Sequence, residues 1–409
     1  MRGCRAPRQL TAVRTPVRTP PGRTAPAPDP ARSEQHTSLW SGEPLTRTDA
    51  LLRATSVRFT ALYFLPYYTA LVAEGRARWE WVALGAVYWF AHGLGTESLN
   101  RLADRAEDEI NRPERTELCR RAGFPLLRRA AFAGWAAVLL LDAVLLVLHP
   151  DPWLALFLFL AGFSGVNYSY GLRLSRNRYL APLLLTFHFG GTFVIGTVLA
   201  QERWNADVLR DFAGYGLPFF AVGMVTLLAL GGAKDLTDLA GDASIGYRSV
   251  WIDLLRRHGS RLAGAMVGST YVLVTVFVLA GAFPRRFLLW LLLIPVAAAL
   301  SRCLWRASTP VERHATREFF YQYWVLSLSV AALLYAPHWA TLGGVAAGAA
   351  FWALTTQRLH WSGGISAATV RTVIALASGS RPAAAGAEPQ QHGREPLTPY
   401  STEREERAG

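Results

Sequence analysis

The chain has 409 residues, of which 51% are hydrophobic and only 17% charged, with a formal net charge of +13. The apolar residues gather in long blocks separated by short charged strips, which excludes a set of ordinary soluble domains. Lys234 is the sole lysine, and the arginines sit between the apolar blocks rather than over one broad face, which argues against a nucleic-acid-binding surface.

Residues 1–50 are rich in Arg, Pro, Thr and Ala, as in "RTPVRTPPGRTAPAPDPAR". Such a segment cannot bury a core and reads as disordered, with a mis-assigned upstream start as an equal explanation. It also lacks the continuous apolar run of a secretory signal. Nine apolar blocks follow, at 57–73, 78–98, 130–148, 152–170, 179–200, 213–233, 262–282, 287–304 and 319–336. Each is close to the roughly 20 residues that a helix needs to cross a bilayer. A softer Gly/Ala-rich block at 338–356 is a candidate tenth span. The predicted fold class is an all-α polytopic membrane protein over 51–357, followed by a polar, largely disordered tail over 358–409.

Eight arginines lie between the second and third blocks, and none between the third and fourth. Positive residues are retained on the cytoplasmic side. The even-numbered connections and the N-terminus are therefore predicted to be cytoplasmic, in a multi-pass protein of the cell membrane. Cys4, Cys119 and Cys303 are too scattered for a disulfide framework or a metal motif and receive no role.

Two of the even-numbered connections carry an unusual acidic pattern. "NRLADRAEDEINRPER", 100–115, places Asn100, Asp104 and Asp108 four apart, on one helical face, with Arg112 one turn further on. "KDLTDLAGDASIGYRSV", 234–250, places Asp235, Asp238 and Asp242 at steps of three and four. Asn100, Asp104 and Asp108 each precede Lys234, Asp238 and Asp242 by the same number of positions, and the even number of intervening spans puts both sets on one side of the membrane. Like charges at this spacing repel by a few tenths of a kcal/mol each and need a positive partner. A solvated helix end would supply one for either stripe alone. Two stripes at matched depth can instead face each other across the mouth of a bundle. Mg²⁺ takes one or two carboxylates per ion and fills its octahedron with substrate phosphates and water. Two acidic stripes with a diphosphate between them make a coherent site.

Arginine suits phosphate oxygens through its planar fork. Arg112 and Arg115 flank Pro113, and "YSYGLRLSRNR", 168–178, adds Arg173, Arg176 and Arg178 beside Tyr168 and Tyr170. Arg112, Arg115 and Arg173 read as phosphate ligands, and Arg178 as an ordinary positive-inside residue. Below the mouth the blocks are aromatic, as in "ALYFLPYY", "FHFGGTF" and "FFYQYW". Together such rings can line an apolar chamber and steady a carbocation through their faces. Asp142 stands alone within "AAVLLLDAVLLVL", where a charge is costly. Glu97 and Arg58 are candidate contacts for an acceptor. His188 reads as a packing histidine.

The two acidic strings resemble the paired aspartate motifs of the UbiA superfamily of intramembrane prenyltransferases, and "YSYGLRLSR" resembles the tyrosine and basic loop between them. The resemblance covers about 51–336. It implies a nine-helix bundle with a cytoplasmic mouth, in which Mg²⁺ binds a prenyl diphosphate. By that resemblance Asn100, Asp104, Asp108, Asp238 and Asp242 hold metal with Asp235 as a helper. Arg112, Arg115, Arg173 and Lys234 hold phosphate oxygens, and Tyr168 sits near the reacting carbon. The chain departs from the family at Arg101, where many members carry Asp. It departs again at "TELCRR" after Arg115, and at Ser175 in place of a lysine.

The activity implied is ionisation of the diphosphate to an allylic cation, stabilised by metal and arginine charge, then capture by an acceptor, most often an aromatic ring. The alternative is a terpene cyclase, in which the cation folds onto its own double bonds and no acceptor is needed. A transporter would also suit two internal halves, but carriers place charge near the midplane rather than at the rim. The partners expected are a prenyl diphosphate, a small acceptor and membrane lipid.

Overall fold

Each apolar block folds as helix, and so do most of the strips between them. The computed structural model describes residues 45–201, 205–362 and 364–380. The disorder expected for 1–44 and for the tail beyond 380 lies outside the described residues.

The chain enters through α1 (Arg47–Ala54), a 3₁₀ turn at Val57–Phe59 and α2 (Thr60–Ala73), then α3 (Trp79–Ala103). Three helices follow the second block: α4 (Arg105–Asn111), α5 (Pro113–Ala122) and α6 (Phe124–Leu148). Next come α7 (Pro152–Asn167), α8 (Leu180–Ala200), the short α9 (Ala206–Asp211) and α10 (Leu217–Leu230). The second acidic string forms α11 (Gly232–Asp235) and α12 (Leu239–Ser244). The last part is α13 (Val250–Leu279), a 3₁₀ stretch at Arg285–Leu293, α14 (Ile294–Arg306), α15 (Pro310–Tyr335), α16 (Trp339–Arg358) and α17 (Ala367–Ser378). By length and composition, five helical stretches among the described residues can cross a membrane: Phe124–Leu148, Leu180–Ala200, Ala206–Asp235, Val250–Leu279 and Arg285–Arg306.

Two boundaries drawn from composition are corrected. The break placed at residue 50 falls inside α1, which begins at Arg47. Thr46 caps it, its hydroxyl accepting from Asp49 N–H while the Asp49 carboxylate reaches back to Thr46 N–H. The tail drawn from 358 contains α17, capped by Ser366 and ended by Gly379 in the left-handed region. α17 packs on α14 and α15, where Arg306 Nη1 donates to Leu376 O at 2.8 Å and Arg302 Nη1 to Ala377 O at 3.2 Å.

The core lies where α2, α3, α8 and α15 meet, around Tyr67, Trp89, Phe193 and Tyr323, all nearly fully buried. α3 and α6 approach at Gly95 and Gly134, where a Cβ on Gly134 would stand 2.8 Å from Gly95 N. Small residues permit this closeness in membrane bundles. The outer surface is apolar, with Phe132, Leu139, Val147, Phe159, Val272 and Leu292 exposed. Helices present such a face to lipid because their backbone groups are already satisfied. The bundle thus leaves the polar strips at the ends of α3 and α10 to gather at one place.

Candidate active site

The first acidic stripe is bent. α3 stops at Ala103, Asp104 leaves helical geometry at φ −101° and ψ 24°, and α4 resumes at Arg105. The i→i+4 ladder nevertheless runs through the bend. Asp104 N–H donates to Asn100 O at 2.9 Å, Asp108 N–H to Asp104 O at 2.8 Å and Arg112 N–H to Asp108 O at 2.8 Å. The stripe therefore keeps one face. Arg112 leaves helical geometry, at φ −147° and ψ 64°, ahead of Pro113, which opens α5, since the residue before a proline is steered away from the helical region. In the second string Asp238 forms the joint between α11 and α12, and Asp242 N–H donates to Asp238 O at 2.9 Å.

The strings are joined directly. Gly241 N–H donates to Asn111 Oδ1 at 2.7 Å, and Arg112 bonds both Asp238 and, at 3.3 Å, Thr237 Oγ1. A side chain at 241 would stand 2.3 Å from Asn111 Nδ2 and 2.8 Å from Glu107 O. Glycine is what lets α12 lie against α4.

One cavity opens between them. Asn100, Asp104, Asp108, Asp235, Asp238 and Asp242 all line it, as do Arg112, Arg115, Lys234, Tyr168 and Glu97. Two predicted residues are not brought there. Arg173 is exposed, in the left-handed region, and the loop offers Arg176 and Ser175 instead. Arg58 is buried in a fork with Glu318, at 2.7 and 3.0 Å. Asp142 lies elsewhere, beside Tyr88.

The carboxylates divide by their partners. Asp108 is ringed by guanidinium groups: Arg101 Nη1 at 2.7 Å, Arg112 Nη1 at 3.5 Å, and Arg115. Burial would raise its pKa, but Arg115, Arg101 and Arg112 outweigh that and hold it below the usual range. Asp235 is tied at both oxygens, to Lys234 Nζ at 2.6 Å and to Ser249 Oγ. Asp238 is likewise held down, to about 2, since Arg112, Arg317 and Lys234 overcome its burial. Asp104 and Asp242 have no ion pair among the described residues. Burial pushes Asp104 up to about 6, with Arg101 opposing it and Asp108 and Glu107 adding to it. Burial and then the neighbouring Asp238 charge push Asp242 up to about 7.

These observations fit a hard cation. Asn100 Oδ1 is buried with no hydrogen-bond partner, and Asp104 and Asp242 line the same cavity without an ion pair among the described residues. All the donors are oxygen, as Mg²⁺ requires. Among the described residues no three acidic, His or Cys side chains converge closely enough to hold an ion unaided. A Mg²⁺ site completed by substrate oxygens and water does not need them to.

The guanidinium groups of Arg101, Arg112 and Arg115 crowd the single carboxylate of Asp108. Burial first, then Arg101 and Arg112, lower Arg115 below the usual guanidinium range, a crowding that a bound anion would relieve. Arg317, about two turns into α15, also lines the cavity, buried, with Nε and Nη1 lacking partners. It was not singled out from the sequence. The available signal was its place, two residues before the ninth apolar block and followed by Glu318. Arg101, noted only as a departure, is the residue that locks Asp108 and Glu97, the latter at 3.2 Å.

Beneath the charges the wall turns aromatic. Tyr63 stacks on Phe189 with centroids 4.6 Å apart, and Phe189 meets Trp324 edge-on at 4.7 Å. Phe189, Leu227 and Trp324 are shared with a second, apolar pocket that runs deeper, past Phe193, Phe219, Phe220 and Gly223.

A helical membrane protein with two acidic strings facing a basic wall over an aromatic chamber is thus the class that fold and site define. Residues 60–326 match the profile of the UbiA prenyltransferase family, and the chain belongs to that family. No curated protein matches it in sequence. A solved structure described under "biosynthesis of Digeranylgeranylglyceryl phosphate synthase in membranes" is similar over 74% of this chain and all of its own, at 13% identity and a TM-score of 0.46. So low a score carries no argument about the site.

Proposed function

We propose that this protein ionises a prenyl diphosphate within the membrane, with Mg²⁺, and transfers the resulting allylic group to an acceptor that is an aromatic ring. The observation that carries this reading is the meeting of both acidic strings with a buried cluster of basic groups over a chamber of aromatic rings. Asn100, Asp104, Asp238 and Asp242 would hold Mg²⁺, which would neutralise diphosphate oxygens as the carbon–oxygen bond breaks. Arg112, Arg115, Lys234 and Arg317 bind the leaving group, Asp108 fixes the first two, and Asp235 orients Lys234. Tyr168 lies beside Lys234, at the level where the diphosphate would meet the allylic carbon. The rings of Tyr63, Phe189 and Trp324 face the cation and exclude water, and the deeper apolar pocket takes the tail.

The arginine distribution supports nine spans over 51–357, with the N-terminus and the cavity mouth cytoplasmic. A cyclase is a second reading, and one observation favours it. Both candidate acceptor contacts are already engaged, Arg58 with Glu318 and Glu97 with Arg101.

The test is to supply geranyl, farnesyl and geranylgeranyl diphosphates in turn to the purified protein with Mg²⁺. Pyrophosphate and extractable product are assayed with and without an aromatic acceptor such as 4-hydroxybenzoate. Prenylated acceptor supports transfer, a cyclic hydrocarbon without acceptor supports the cyclase, and no pyrophosphate under any condition overturns both.

A further inference from the structure

The chamber contains one base that diphosphate binding leaves unused. His188 of α8 lines it, between Leu185 and Phe189. The imidazole is tied at one nitrogen only, Nδ1 lying 2.9 Å from Ser164 Oγ. Ser164 has a single hydroxyl proton, and its oxygen stands 3.0 Å from the Ala161 carbonyl, which can only accept. With that proton given to Ala161 O, the Ser164 oxygen must accept, so Nδ1 carries the hydrogen. Nε2 is left with its lone pair, buried and without a hydrogen-bond partner. A buried polar atom without a partner calls for an explanation.

The neighbours hold the ring without quenching that nitrogen. Tyr63 packs edge-on at 5.1 Å and Phe189 at 5.8 Å. His92 lies 4.8 Å away, centroid to centroid, with its own Nε2 3.3 Å from the Ala161 carbonyl.

Both reactions open to this site end on a proton. An alkylated aromatic ring must lose the hydrogen on the carbon that took the prenyl group, and a cyclised cation must lose one next to the cationic carbon. We propose that His188 Nε2 takes that proton, an inference that rests on the reading of the site as a chamber for prenyl-diphosphate ionisation. The carbon–hydrogen bond breaks, and its electron pair restores the aromatic system or forms the new double bond. The proton makes an N–H bond at Nε2, giving an imidazolium whose other N–H stays on Ser164. The released diphosphate anion then receives the proton and the neutral ring is restored. Ser164 is the positioning residue that fixes the tautomer.

The test uses the full-length protein with Mg²⁺ and geranylgeranyl diphosphate, alone and with 4-hydroxybenzoate. Wild type, His188→Gln and Ser164→Ala are compared for pyrophosphate release and for product by mass spectrometry. Product is read relative to pyrophosphate in each variant, so the comparison does not depend on how far His188→Gln changes ionisation itself. The ratio of deprotonated product to pyrophosphate falls about 100-fold, the lower scale of a positioned base, and prenyl alcohol from water capture makes up the difference. Ser164→Ala keeps the imidazole and shifts the same ratio in the same direction by a smaller factor, so the test survives a His188→Gln protein that does not fold. A wild-type product ratio in both variants, or a wild type that yields only prenyl alcohol, overturns the assignment of His188 alone. A wild type that releases no pyrophosphate overturns the reading of the site, and this assignment with it.

Discussion

Asn100 Oδ1, Asp104 and Asp242 are the groups at the mouth that still want a cation, while Asp108 and Asp235 already have theirs. That division predicts unequal mutants. Asp104→Ala and Asp242→Ala should lower Mg²⁺ affinity, measured by titrating the ion against pyrophosphate release. Asp108→Ala should instead weaken diphosphate binding, because it frees Arg101 and Arg115 from their common anchor. Arg317→Met should cost about 10²–10³ in rate, the scale for losing one preorganised group that meets developing charge. pH acts on the same residues. Asp242 and Asp104 titrate near 7 and 6 in the metal-free fold, above their ordinary 3.8. At these two groups the folded state thus binds more protons than the unfolded one between those limits, so their own contribution to metal-free stability falls as pH rises from about 4 through 7. Metal binding needs the protons gone, so Mg²⁺ affinity should rise over pH 6–7. Thermal unfolding in EDTA and in Mg²⁺ across that range checks both signs, and identical pH profiles in the two buffers would contradict them.

At the scale of elements, function depends on α4 and α12 staying in contact through Asn111 and Gly241. Gly241→Ala must push them apart, since its Cβ would meet the backbone oxygen of Glu107 at 2.8 Å as well as the Asn111 side chain. Overpacking of this kind costs about 1–3 kcal/mol in stability, but a displacement of about 1 Å between reacting groups can cost about 100-fold in rate. Pyrophosphate release should therefore suffer far more than the melting temperature. In the tail pocket a Cβ on Gly223 meets nothing within 4 Å. Gly223→Leu should fill the space, lowering the preference for geranylgeranyl over geranyl diphosphate by about tenfold or more, as read by competition between the two. Much of this was legible in the sequence, because a four-residue period survives the bend at Asp104: the backbone ladder runs on through it. The bend itself was not, as no proline or glycine marks it. The pairing of Arg58 was not legible because nothing local announces a partner, Glu318, that is 260 residues away. Helix α17 was legible in hindsight, with Ser366 before it and Gly379 after it as start and stop signals.

Across the whole molecule, Arg58 and Glu318 join the first apolar block to the ninth, and His360 Nε2, 3.7 Å from Glu318 Oε1, brings in the chain beyond α16. Arg58 also lies over the Trp352 ring at 4.9 Å. Both partners are nearly inaccessible. Removing one strands the other, at about 3–5 kcal/mol. Glu318→Ala should lower thermal stability in detergent by that amount, and pairing it with Arg58→Met should recover most of the loss. Equal melting of the single and double variants would show that the ion pair does not brace the bundle. The central claim, however, is that the two acidic strings act as one site on a prenyl diphosphate. It is tested most directly by Mg²⁺-dependent pyrophosphate release from geranylgeranyl diphosphate, compared among wild type, Asp104→Ala and Asp238→Ala proteins of matched thermal stability. The account predicts release by wild type that EDTA abolishes and that each substitution, one in each string, reduces to background. Full release by either variant would contradict it.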